Sequence, residues 1–399
     1  MKILFIIIDG LGDRPIKKLN NKTPLELAST PNLDYLAKNG ICGLILPFLF
    51  PWEKEPTSEG THVALFSYKD YFLGRGPYEA AGVGMPMNKK DIAFRVNFGT
   101  VDKKLKIIDR RAGRIDKTQP LVESLNEKVI DGIKFLLKKS SGHRAVLILK
   151  GKNLSEKISD GDPHKEGLKV KKILPLNKSK SAQKTAEVLN KFLTTAHLIL
   201  KNHPFNKKRI KRKLLPANYL LVRGAGKLRK VPSFKKRYDL KTVCVAAGTL
   251  YKGVAKIIGM DEIFVKGATG FANTNLGGKI LAAKKAFKKY NFVFLHIKAT
   301  DTFAHDGDFW GKKKFIEKID KNIKSLLNLR NTLIVVTADH STCSLLKRHC
   351  KEAIPVLIYG VGRDSISKFS EKDCKRGKLG KIKQIDLMSK IMELMEKSK

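Results

Sequence analysis

The chain predicts an α/β fold: a mostly parallel sheet sandwiched by helices and interrupted by a smaller inserted α+β domain. Three observations carry that expectation. Several short runs are continuously apolar and β-branched, as strands buried on both faces are. Near both ends of the chain these runs alternate with helical periodicity. Between residues 90 and 240 the texture changes to short strands, basic turns and one long helix. The divided domain is therefore placed at 1–90 and 240–399, and the insert at 91–239.

Taken in order, Lys2–Ile8 (KILFIII) reads as a buried strand that stops at Asp9-Gly10, so a carboxylate emerges where the strand ends. Thr30-Pro31 has the form of an N-cap with proline at the first helical position. Leu33, Leu36 and Ala37 supply the apolar face, and Gly40 closes the helix. Further strands are expected at 43–46, 145–149, 218–222, 242–246, 292–297, 332–337 and 353–359. Residues 182–200 form an amphipathic helix whose stripe includes Val188, Leu189, Phe192 and Ala196. Helices at 309–328 and 384–396 fill the gaps between the last strands.

A chain of 399 residues with 42% hydrophobic content can bury a large core, and a mean hydropathy of −0.24 is that of a soluble protein. No apolar run approaches the ~18 residues a membrane helix needs, so no membrane partner is expected and the location is read as cytoplasmic. Five scattered cysteines without a C-x-x-C pair argue against a disulfide framework and a structural zinc site. Cys343 and Cys350 are read as small buried thiols. The net charge of +43 raises nucleic-acid binding. The excess is spread along the chain, however, and its one dense run, KKRIKRK at 207–213, accompanies no nucleic-acid-binding motif. It is read as a solvated surface.

Four segments combine into one chemical constellation. Asp9 follows the first strand. Ser58 lies in P-T-S-E-G-T-H, directly before a helical stretch. Asp301 and His305 form D-x-x-x-H after a strand, and Asp339 and His340 form D-H after the next, with His349 beyond. Each alone is an ordinary turn, cap or helix-surface residue. Together they offer three carboxylates, three imidazoles and a hydroxyl, a set suited to Mn²⁺ or Zn²⁺. Two such ions can clamp the attacking and leaving oxygens of an in-line displacement. Ser58 then becomes a candidate nucleophile, with helix N–H groups to receive a phosphate.

At these residues the chain resembles the archaeal-type cofactor-independent phosphoglycerate mutases of the alkaline phosphatase superfamily. The similar stretches include I-D-G-L-G-D-R-P (8–15), K-T-P-L-E-L-A-S-T-P-N-L-D (22–34), G-R-G-P-Y-E-A (74–80) and I-D-R-R-A-G-R-I (108–115). They continue with D-P-H-K (162–165), R-G-A-G-K (223–227), H-I-K-A (296–299), H-D-G-D-F (305–309) and D-H-S-T (339–342), in family order across nearly the whole chain. The resemblance implies an alkaline-phosphatase-like metal-binding domain split by a substrate-gripping insert. It implies that Asp9, Ser58, Asp339 and His340 hold one divalent ion and Asp301, His305 and His349 another. Mn²⁺ is the first choice, with Zn²⁺, Co²⁺ and Mg²⁺ as other candidates. Ser58 would carry the phosphoryl group between 2-phosphoglycerate and 3-phosphoglycerate, with no 2,3-bisphosphoglycerate. The chain departs from the family where S-E-G-T-H replaces S-D-T-A-H and H-C-K-E-A-I-P replaces H-S-G-D-P-V-P.

In the expected insert, Arg110, Arg111, Arg114, Arg223 and Lys227 sit in glycine-punctuated turns, where guanidinium forks suit carboxylate and phosphate. His164 is a candidate proton shuttle, and Lys252 a candidate partner for a substrate oxygen. A phosphatase or phosphonate-handling relative would share every metal ligand but has no need of the arginine-rich insert. A basic nucleic-acid-binding protein on the same fold is the alternative of another class. It would leave seven costly ligand positions without work.

Overall fold

A computed structural model describes residues 1–397. The chain divides into two compact units, one of residues 1–72 and 231–399 and one of residues 73–230. These divisions differ from the expected 90/91 and 239/240, and the first has a plain cause. The helix Arg75–Gly82 belongs with the second unit, where Gly76 lies so close to the strand Ile92–Val101 that a Cβ would meet Ala93 O at 1.9 Å.

The first unit is built on an eight-stranded sheet. Its spatial order is Asp261–Glu262, Thr242–Val245, Phe292–Ile297, Lys2–Ile8, Thr332–Thr337, Ile354–Tyr359, Gly40–Leu46, Gly380–Lys383. Lys2–Ile8 is parallel to both neighbours, pairing Ile7 with His296 on one side and Thr337 on the other. Every residue from Ile3 to Ile8 is at most 1% exposed, so both faces of this strand are covered, as its unbroken apolar run requires. Ile354–Tyr359 runs antiparallel to both of its partners, which makes the sheet mainly rather than wholly parallel. The first long helix, Pro31–Lys38, ends at Asn39. Gly40 already opens the next strand, and Thr30 Oγ1 turns to Asp34 rather than capping the helix.

The second unit is an antiparallel sheet centred on Ile92–Val101, which pairs with Arg144–Lys150 and Tyr219–Gly226. The amphipathic helix spans Lys180–Asn202 and packs Val188, Leu189, Phe192 and Ala196 into a core with Phe94, Phe98 and Phe135. Among the described residues no helix is long and apolar enough to cross a membrane. The expectation of free thiols at Cys343 and Cys350 is corrected. The two are joined in a disulfide, because the strands Ser341–Cys343 and Arg348–Cys350 fold into a hairpin that brings their Cα atoms to 5.9 Å. The free cysteines are Cys42, Cys244 and Cys374, all buried.

Candidate active site

Three neighbouring strands of the first unit deliver its acidic groups. Lys2–Ile8 ends at Asp9, Phe292–Ile297 leads into the helix Ala299–Asp306 that bears Asp301 and His305, and Thr332–Thr337 leads to Asp339 and His340. Gly10 takes φ +65°, and a Cβ there would meet Thr342 Oγ1 at 2.5 Å and Asp301 Cβ at 2.9 Å. A glycine is therefore what lets the three strand ends converge.

Ser58 is the first residue of the helix Ser58–Leu65, after the N-cap Thr57. The helix dipole and first-turn N–H groups thus stand at its hydroxyl. Its Oγ lies 3.4 Å from His340 Nε2, and that nitrogen lies 3.1 Å from Asp339 Oδ2 and 3.7 Å from Asp9 Oδ1. On the other side, His305 Nε2 and His349 Nε2 stand 3.3 and 3.5 Å from Asp301 Oδ1. Thr342 Oγ1 donates to that same oxygen at 2.9 Å and lies 3.2 Å from His340 Nδ1, linking the two groups. Asp9, Asp339 and His340 offer ligand atoms within 4.8 Å of one another, and so do Asp301, His340 and His349.

The electrostatics call for cations. Burial pushes the Asp9 and Asp301 carboxyls up, but the Lys298 ammonium, 3.0 and 2.8 Å away, together with His296 at the one and His305 and His349 at the other, outweighs it and holds both well below the usual range. At Asp339 the same ammonium counts for less. Burial, then the charges of Asp9 and Asp301, push its carboxyl well above the usual range. Three carboxylates share one ammonium, and Asp9 Oδ1 and Asp339 Oδ2 are buried without a hydrogen-bond partner. Burial, then the neighbouring His349 ring, hold the His340 imidazole neutral, with a lone pair to give. Divalent cations fit this donor set, since they supply the missing charge and the missing partners.

Sequence reasoning overlooked three contributors here. Lys298 Nζ also contacts Tyr251 OH at 3.0 Å, Tyr251 donates to Asp9 Oδ2, and His296 Nε2 lies 3.3 Å from that oxygen. Lys298 and His296 lie inside H-I-K-A, so the motif was visible but its roles were not. Lys252, expected near a substrate oxygen, pairs with Glu262.

In the second unit, Arg110, His164 and Arg223 gather about the buried Asp162. Arg110 grips the carboxylate with Nε (3.1 Å to Oδ1) and Nη2. His164 N donates to Oδ1 at 2.9 Å, and Arg223 Nη1 lies 4.0 Å from Oδ2 and 2.9 Å from His164 Nδ1. Arg111 and Arg114 are exposed in the adjoining turn, and Lys227 turns to Leu154 O and Glu156. The unexpected member is Arg95. It is 6% exposed on the central strand beside Glu79, with a guanidinium destabilised by burial and by Arg75, Arg223 and Arg144.

A family model described as the metalloenzyme superfamily matches residues 1–394. A 2,3-bisphosphoglycerate-independent phosphoglycerate mutase of Archaeoglobus fulgidus is 45% identical, over 100% of this chain and 99% of the relative. One from Methanocaldococcus jannaschii is 43% identical, over 98% and 97%. Among solved structures, the PH0037 protein of Pyrococcus horikoshii is similar at a TM-score of 0.84 and 35% identity, covering 100% of this chain and 98% of that one. The cofactor-independent phosphoglycerate mutase of Thermoplasma acidophilum is similar at 0.67 and 36%, covering 99% and 100%.

Proposed function

Since the chain belongs to the metalloenzyme superfamily and, within it, to the 2,3-bisphosphoglycerate-independent phosphoglycerate mutases, we propose that Ser58 carries the phosphoryl group in transit. The enzyme is an isomerase of glycolysis and gluconeogenesis that interconverts 2-phosphoglycerate and 3-phosphoglycerate. It uses divalent metal, and Mn²⁺ is our choice of ion. We read it as a cytoplasmic enzyme whose basic surface is solvated rather than a nucleic-acid site.

The observation that carries the mechanism is Ser58 Oγ at a helix N-terminus, 3.4 Å from His340 Nε2, in a pocket short of positive charge. Asp9, Ser58, Asp339 and His340 would hold one ion, and Asp301, His305 and His349 the other. Bound there, the ions lower the serine pKa and screen phosphoryl charge. Ser58 Oγ attacks phosphorus, and the glycerate oxygen leaves. Arg110, Arg111, Arg114 and Arg223 hold the carboxylate and phosphate groups, whereas Lys227 and Lys252 are engaged by Glu156 and Glu262. His164, its Nδ1 within 2.9 Å of Arg223, moves the proton between the two glycerate hydroxyls. The second hydroxyl then takes the phosphoryl group back from Ser58. Water must be kept out during that interval, or the phosphoserine hydrolyses.

The test is conversion of 3-phosphoglycerate by purified protein with Mn²⁺ and no bisphosphoglycerate, reading 2-phosphoglycerate and free phosphate together. We expect 2-phosphoglycerate without phosphate. Phosphate alone would place the chain among hydrolases.

A further inference from the structure

The hairpin of Ser341–Cys343 and Arg348–Cys350 is a two-stranded sheet standing apart from the eight-stranded one. Two-stranded hairpins are marginal by themselves. Yet this one orients three of the proposed ligands. Thr342 Oγ1 donates to Asp301 Oδ1, Lys347 O lies 2.9 Å from His305 Nδ1, and His349 is itself a hairpin residue whose Nδ1 lies 2.7 Å from Pro56 O. Thr342 and His349 face each other in the register. Cys343 follows the one and Cys350 follows the other, and their disulfide closes the hairpin beside that pair. Asp9 and Asp339, by contrast, hang from central strands and need no such staple.

We infer that Cys343 and Cys350 are positioning residues, whose disulfide preorganises Asp301, His305 and His349 for one metal ion and acts on the other ion's ligands only at His340, through Thr342. The inference rests on the two-ion reading above. The bond forms by thiol–disulfide exchange. The two thiols give up two protons and two electrons to an exogenous disulfide, which leaves as two thiols. At 1% and 5% exposure the cysteines are out of reach of dissolved thiols, so the bond is a permanent staple.

Two measurements on the full chain test this. Alkylation in denaturant without reductant should find three free thiols, those of Cys42, Cys244 and Cys374; five would overturn the inference. Calorimetric Mn²⁺ titration of metal-stripped protein should show one of two affinities weakened roughly tenfold or more in Cys343→Ser/Cys350→Ser, with the other weakened distinctly less. Equal weakening of both would mean general loosening, and no weakening would mean no role; either overturns it. Should that variant not fold, Cys343→Ala/Cys350→Ala, which buries no hydroxyl, takes its place under the same criteria. Wild-type protein that binds fewer than two ions would overturn the two-ion reading itself, and this inference with it. That outcome is told apart because it needs no variant.

Discussion

In the first unit, Asp9, Asp301 and Asp339 crowd around a single ammonium. In the second, Arg75, Arg95 and Arg144 crowd around Glu79, and Arg110 and Arg223 around Asp162. Each of these clusters carries charge of predominantly one sign, and the sign is opposite in the two. In the first the strain falls on Asp339, pushed towards its protonated form. In the second it falls on Arg95, and on His143, whose imidazole is pushed far down by burial and then by four neighbouring arginines. Buried charge in excess is costly unless something of the other sign arrives. The comparison teaches that each unit announces the charge of its ligand: cations in one, a multiply charged anion in the other.

The comparison can be broken in graded ways. Ser58→Ala should cost about 10⁴-fold or more in turnover and abolish the phosphoenzyme. Rapid-quench trapping with labelled substrate checks this, and normal turnover would remove Ser58 from the chemistry. Asp301→Ala should lower metal content from two ions per chain towards one and cost at least about 100-fold in kcat. Elemental analysis that still finds two ions would show the ligand set to be wrong. Arg223→Met should reduce kcat/KM by about 10- to 100-fold, the worth of a charged hydrogen bond, while metal content stays the same. A loss of metal in that variant would undo the division of labour between the units.

The smallest effect concerns acid stability. Burial raises the Asp162 carboxyl, but the bond to Arg110, its charge and that of Arg223 prevail and hold it below the ordinary 3.8. A depressed folded value gives stability that is fully present above the unfolded value and is lost as pH falls through the folded one. Asp162→Asn should therefore be less stable at neutral pH by about 1–3 kcal/mol, with a shallower fall in melting temperature below about pH 4. Parallel curves for the two proteins would show that Arg110 does not stabilise this carboxylate.

The main strands of the first unit were legible because burial on both faces leaves an unbroken apolar run, as in KILFIII, which stops at Asp9. The central strand of the second unit was not legible. Ile92–Val101 carries Arg95, Asn97 and Thr100, all buried, and these break the pattern that would have announced it. Only the approach of Glu79 makes Arg95 tolerable there, and no local window contains that fact. Lys298 and Tyr251 were missed for the same reason: each takes its meaning from Asp9, far away in the chain. The cysteine pair was misread because a separation of seven residues says nothing until a hairpin register is known.

The parallel pairing of Lys2–Ile8 has a consequence in time. This strand leaves the ribosome before its partners Phe292–Ile297 and Thr332–Thr337, which follow only after the whole second unit has been made. At ordinary elongation rates the wait is roughly 15–60 s. Through that interval a bare apolar strand must be kept from foreign edges, while the contiguous second unit, 73–230, already has every residue its own sheet requires. Chaperone demand during translation should therefore fall on the first strand, and release from it should coincide with emergence of the last third of the chain.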